Sequence, residues 1–176
     1  MIKVTYLGHS GFLAELEDVC LLFDYYKGEL PEMDPDKKMA VFVSHSHYDH
    51  YRKDIFRLRD RFGQIRFILS DDVPAAEEED VIFVRPNECR EVLGLDITTL
   101  RSNDEGVAFL VKYKNRTIYH AGDLNWWHWE GEPDAYNTKM RRSYQSEINK
   151  LQKEKIDVAF VPVDPRLGEQ YCLGLD

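Results

Sequence analysis

Short apolar runs separated by glycine, proline and acidic clusters set the pattern of this chain. Apolar and β-branched residues over 2–7 give way to the turn Gly8-His9-Ser10-Gly11, and runs at 12–17 and 19–23 follow, as in strands joined in a meander. Residues 28–38, with Pro31, Pro35 and several acids, read as a loop. The run 39–43 is short and apolar, as a buried strand is. Residues 51–61 predict a helix, which Gly63 stops. Further strands are expected at 65–69, 81–84, 96–100, 106–113 and 116–119, with an acidic loop or short helix over 71–80. A second helix is expected at 142–155 from Tyr144, Ile148 and Leu151 at helical spacing, and 156–163 then predicts a buried strand ended by Pro162 and Pro165. This order suggests two sheets packed face to face with helices outside each, an α/β class in one domain over residues 1–176.

Composition narrows the class. With 43% hydrophobic and 31% charged residues, the 176-residue chain is long enough to bury a core without cross-links. No segment approaches the roughly 18 consecutive apolar residues that span a bilayer, so no membrane partner is expected. Gly8 and His9 interrupt any apolar leader, and Cys20, Cys89 and Cys172 are odd in number and far apart, as reduced thiols are. A cytoplasmic location is the expectation. The 23 basic and 32 acidic residues leave a net charge of −9, a field that repels polyanions, so nucleic acid is not the expected partner. Local exceptions are Arg52, Lys53, Arg57, Arg59, Arg61 and Arg66, and the pair Arg141 and Arg142. These read either as a site for a phosphorylated small molecule or as solvated helix faces.

The candidate chemistry follows the run 39–43. Ser44-His45-Ser46-His47-Tyr48-Asp49-His50 holds three of the chain's six histidines. Residues i and i+2 leaving a strand point to the same side, so His45 and His47 can present imidazoles to one ion. Asp49 and His50 fall in the turn before the first predicted helix, where they can face a second ion. Imidazole and carboxylate donors suit zinc, and also manganese or iron.

His45-Ser46-His47-Tyr48-Asp49-His50 resembles the His-x-His-x-Asp-His signature of the metallo-β-lactamase superfamily, and His120-Ala121-Gly122-Asp123 resembles its later Gly-Asp motif. Tyr6-Leu7-Gly8-His9-Ser10-Gly11-Phe12-Leu13 and Ile118-Tyr119-His120-Ala121-Gly122-Asp123 are similar to the branch containing ascorbate-6-phosphate lactonase. The resemblance spans residues 1–165. It implies a four-layer αβ/βα sandwich with the metal site at the open edge between the sheets. One or two Zn2+ ions are implied, with Mn2+ or Fe2+ as alternatives. The implied ligands are His45 and His47 to one metal, Asp49 and His50 to the other, and Asp123 as a bridge. The implied activity is hydrolysis of a small, anionic ester, lactone or phosphodiester by a metal-activated water that Asp49 orients or deprotonates. The alternative is a non-catalytic metal-binding or regulatory protein with an incomplete site.

Two departures from the superfamily pattern motivate that alternative. No histidine lies between His50 and His120, and Asn103 or Asp104 is the expected oxygen substitute. Superfamily members usually continue past a strand like 157–163 to a final histidine ligand. The expectation here is either a C-terminally shortened form or use of a neighbour or His128 instead, and a homo-oligomer stays open. His9 reads as a substrate donor at the site mouth or as a structural histidine, and His120 as a group that orients a neighbour. Trp126, Trp127 and Trp129, every tryptophan in the chain, are expected to give at least one ring to the pocket wall. Asp164 is a cleft contact or a turn cap.

Overall fold

In the computed structural model, which describes residues 1–175, the first three apolar runs pair as an antiparallel meander of β1 (Lys3–Gly8), β2 (Gly11–Glu15) and β3 (Val19–Phe23). The chain then crosses to β4 (Lys38–Val43), parallel to β3, and β5 (Ile65–Ser70) and β6 (Val81–Val84) continue in parallel. Together they form a sheet in the order β1-β2-β3-β4-β5-β6. A second antiparallel meander, β7 (Cys89–Val92), β8 (Leu95–Arg101), β9 (Val107–Tyr113) and β10 (Arg116–His120), forms the other sheet. The helix α1 (Asp134–Ile148) follows, and β11 (Val158–Phe160) then adds to this sheet parallel to β10.

Strand alternation decides the layers. In β4, Ala40 and Phe42 point into the core between the sheets, whereas Met39, Val41 and Val43 point into a second core on the outer face. Burial on both faces is what the unbroken apolar run requires. Phe42 meets Phe109 of β9 across the sheets at 5.1 Å between ring centroids, an edge-to-face contact. The outer face of the first sheet is covered by a 3₁₀ segment, Lys53–Asp60, with Ile55 and Leu58 buried. On the outer face of the second sheet, Leu110 and Tyr119 pack with Tyr144 of α1. The arrangement is the expected α/β sandwich.

Several elements differ from expectation. The predicted helix at 51–61 is 3₁₀ over Lys53–Asp60, because its buried pair Ile55 and Leu58 is spaced three apart and charged residues surround it. The helix expected at 142–155 begins at Asp134 and gives way after Ile148 to a short 3₁₀ turn, Asn149–Leu151. Its first turns bury little beyond Asn137, so apolar spacing did not reveal them. Strand β7 has one buried residue, Val92, and carries no alternation to read. The strand expected at 156–163 is limited to Val158–Phe160, which pairs with β10 alone as an edge strand. No helix among the described residues is long and apolar enough to cross a membrane.

Candidate metal centre

The ends of β4 and β10 open on the same edge of the sandwich, and hydrogen bonds tie each to a neighbouring strand. Val107 N–H at the start of β9 donates to the Ser44 carbonyl (2.9 Å), and Ala121 N–H just past β10 donates to Phe160 (2.9 Å). Two close approaches demand glycine here. Gly106 and Gly122 both have positive φ (67° and 53°); a Cβ on Gly106 would overlap the Ser44 carbonyl oxygen, and one on Gly122 would lie 2.7 Å from Ser44 Cβ.

His45 and His47 leave β4 on one side, as their spacing predicts. His45 Nε2 lies 3.0 Å from His47 Nδ1 and 3.6 Å from Asp123 Oδ2. The other Asp123 oxygen lies 3.4 Å from His50 Nε2. Asp49 is 3.1 Å from His9 Nε2. The ligand atoms thus form two sets, His45, His47, Asp123 and His9, Asp49, His50, each within 4.8 Å of one another. Asp123 stands between them. His9 is brought in by the β1–β2 turn, where it adopts a left-handed φ of 53°, a conformation that costs a non-glycine residue about 1 kcal/mol or more.

Each imidazole after β4 has one nitrogen occupied and one aimed inward. Ser44 Oγ donates to Asp24 (2.6 Å) and lies 3.0 Å from His45 Nδ1, so it accepts from that ring. His50 Nδ1 donates to Asp24 Oδ2 (2.7 Å), and Glu105 Oε2 lies 3.2 Å from His47 Nε2. These partners leave His45 Nε2, His47 Nδ1 and His50 Nε2 for a ligand. His50 Nε2 is buried and has no hydrogen-bond partner among the described residues. An orphaned buried nitrogen between two carboxylates is a position that a cation fits.

The electrostatics agree. Burial would raise the Asp24 carboxyl, but the charges of His120 and His50 and the hydrogen bonds from His50 and Ser44 outweigh it and hold the pKa at about 2. Burial and the neighbouring His50 lower His45 to about 4, so it stays neutral with a lone pair available. Burial lowers His50, but the hydrogen bond and charge of Asp24 more than offset this and raise it. Burial, with Asp24, Asp104 and Asp49 nearby, raises Asp123. Four imidazoles and two carboxylates in this space are a donor set that could hold a cation.

The remaining expected residues separate. His120 is buried with both nitrogens engaged: Nε2 donates to Ser10 (2.9 Å), and Nδ1 accepts from Gly122 N–H (3.1 Å). It stacks on Phe23 at 4.9 Å and ties the His9 turn to the Asp123 turn. Asn103 is not turned to the ligand sets. Its side-chain amide donates to the Asn125 carbonyl (2.8 Å) and accepts from Asn125 N–H (3.3 Å), so it braces loops. Asp104 lies near enough to act on Asp123 but joins neither ligand set, and Glu105, not singled out from the sequence, is the loop residue beside His47. Trp126 packs beside Tyr144, and Trp126 and His128 border a separate cavity of about 420 Å³. Trp127 forms the wall instead, with its indole N–H donating to the Asp123 carbonyl (3.0 Å).

A cavity of about 490 Å³ opens beside the two sets and is bordered by His9, Asp49, Asp123, Trp127, Phe160 and Arg166. Asp164 also lines it and caps the turn after β11 by accepting from Arg166 N–H (2.9 Å), so both readings of that residue meet. Of the basic segment, Arg52 pairs with Asp54, and Arg59 with Asp80 and Glu78. Those arginines serve the protein's own acids. Asp24 was missed because a lone acid ending a strand carries no spacing signal.

Residues 3–129 match the family described as beta-lactamase superfamily domain. A relative from Opitutus terrae, named a metal-dependent hydrolase, is 26% identical over 98% of this chain and 75% of its own length. Among solved structures, a motif mutant of a metallo-beta-lactamase from Cronobacter sakazakii aligns with a TM-score of 0.51 at 16% identity, over 89% of this chain and 76% of that one. CmlA, a diiron beta-hydroxylase from Streptomyces venezuelae, aligns with a TM-score of 0.55 at 17% identity, over 90% of this chain and 34% of its own. With two facing sheets, and with histidines and acids gathered at one edge between them, this chain belongs to the beta-lactamase superfamily and has the metallo-β-lactamase fold.

Proposed function

We infer that the chain is a metal-dependent hydrolase with ion sites at His45, His47, Asp123 and at His9, Asp49, His50, acting on a small substrate in the adjoining cavity. One observation carries this reading: two sets of three ligand atoms meet at Asp123, and His9, Asp49 and Asp123 border a cavity of about 490 Å³. That volume suits a small molecule. The name of the Opitutus terrae relative supports it.

Divalent ions at such a site supply an acidified water and polarise a substrate oxygen. The chain's own groups do the rest. Ser44 and Asp24 hold the His45 and His50 imidazoles with the ligand nitrogen free, and Glu105 lies beside the outer nitrogen of His47. Asp49, held by His9 at the cavity wall, is placed to orient water or take its proton. Zn2+ is the metal this donor set suits, and Mn2+ and Fe2+ are also accommodated. The substrate class is an ester, lactone or phosphodiester. A non-catalytic metal-binding protein needs the ligand sets but no open cavity beside them, so the cavity favours catalysis.

Elemental analysis of protein purified without chelator tests the assignment. About two equivalents of metal are expected, with less in His45→Ala and Asp123→Ala. Metal-free protein, or a content unchanged in both variants, removes it.

A further inference from the structure

We propose that Arg166 is the anion-recognition residue of the cavity, and that the substrate bears an oxyanion, carboxylate or phosphate, held by its guanidinium beside the Trp127 wall. The proposal rests on reading this cavity as a hydrolase's substrate site. Among the described residues, Arg166 is the one arginine or lysine bordering the cavity, and it also borders a smaller cavity of about 150 Å³ that shares Asp123 and Trp127. Topology puts it there. Strand β11 runs parallel to β10, so the chain leaving β11 toward Arg166 emerges on the same edge as Asp123.

The guanidinium is held in place before any ligand arrives. Asp164 accepts from its Nε at 2.9 Å and also from Nη2, while the Asp164 carboxylate is itself only 14% exposed and caps the turn. The guanidinium lies 5.5 Å from the centroid of the Trp129 ring, and Trp129 stacks on Trp127 at 5.9 Å and 3°. Trp127 in turn is fixed by its bond to the Asp123 carbonyl. An exposed ion pair with Asp164 would by itself contribute little to stability. Here the pair presets a planar donor whose Nη1 edge is left for a second oxyanion, so little entropy is lost when one binds.

The test uses metal-loaded protein, with metal content measured on each sample, and calorimetric titration with inorganic phosphate and, separately, acetate. The preferred anion distinguishes the phosphate class from the carboxylate class. Arg166→Met is expected to weaken that anion about ten- to hundredfold, and Arg166→Lys by less, since the charge remains without the fork. Anion binding equal in wild type and both variants overturns the proposal. In a second arm, the ratio of kcat/KM for 4-nitrophenyl hemisuccinate to that for 4-nitrophenyl butyrate is expected to fall about tenfold in Arg166→Met; an unchanged ratio counts against Arg166. If wild type hydrolyses neither ester yet binds an anion through Arg166, the subsite stands and the simple-ester class falls; if the protein also holds no metal, the hydrolase reading falls with it.

Discussion

Glu105 lies beside the outer nitrogen of His47 at 3.2 Å, while Asp24 accepts from His50 and Ser44 from His45, so the inner nitrogens converge without a third imidazole from the β8–β9 loop. Glu105→Gln keeps the shape and removes the charge. Metal affinity is expected to fall about tenfold, measured by competition with a chromogenic chelator; an unchanged affinity would show that His47 needs no outer carboxylate. Its neighbour Gly106 is held to glycine by a positive φ and by the Ser44 carbonyl. Gly106→Ala is expected to cost about 2–3 kcal/mol in urea unfolding of metal-free protein, and a loss below 0.5 kcal/mol, roughly the noise of a surface change, would contradict that packing. His45, His47, Asp49 and His50 were legible because their spacing is local. Asp24 and Glu105 were not, because their partners lie far away in sequence.

At the scale of elements, the 3₁₀ segment stays on the sheet partly through Arg59, which spans Asp80 with Nε at 2.6 Å and Nη2 at 2.9 Å and lies over the Phe56 and Phe67 rings. That pairing holds the Asp80 carboxyl below its ordinary 3.8. A depressed carboxylate stabilises the fold fully above its unfolded pKa and loses that contribution as the pH falls through the folded value. Asp80→Asn is therefore expected to cost about 1 kcal/mol at neutral pH and to flatten the loss of stability below pH 3.8, seen in denaturant midpoints at several pH values; parallel curves for both proteins would refute the pairing. Strands with strong apolar runs were legible at nearly their full length, because burial on both faces leaves a continuous apolar signature. The start of α1 and the whole of β7 were hidden, since exposed elements bury too few residues to imprint a period.

Over the whole molecule, the candidate ligands come from both sheets: His45, His47 and His50 follow β4, Asp123 follows β10, and His9 sits in the β1–β2 turn. Ions held there would join the two layers of the sandwich, and ligands that bind only the folded chain stabilise it. At metal concentrations near a thousand times Kd the gain is about 4 kcal/mol, and a chelator is expected to lower Tm on the order of 10 °C. A melting curve indifferent to chelator would mean that no ion ties the sheets. By itself the sequence determined the two-sheet order and the identity of the histidine cluster, because strand alternation and i, i+2 spacing are properties of neighbouring residues. Only the tertiary structure decided that His9 joins Asp49 and His50, that Glu105 rather than Asn103 reaches the site, and that Trp127 rather than Trp126 walls the cavity. Those outcomes depend on which strand ends and turns meet at one edge, and that is set by the packing of the two sheets.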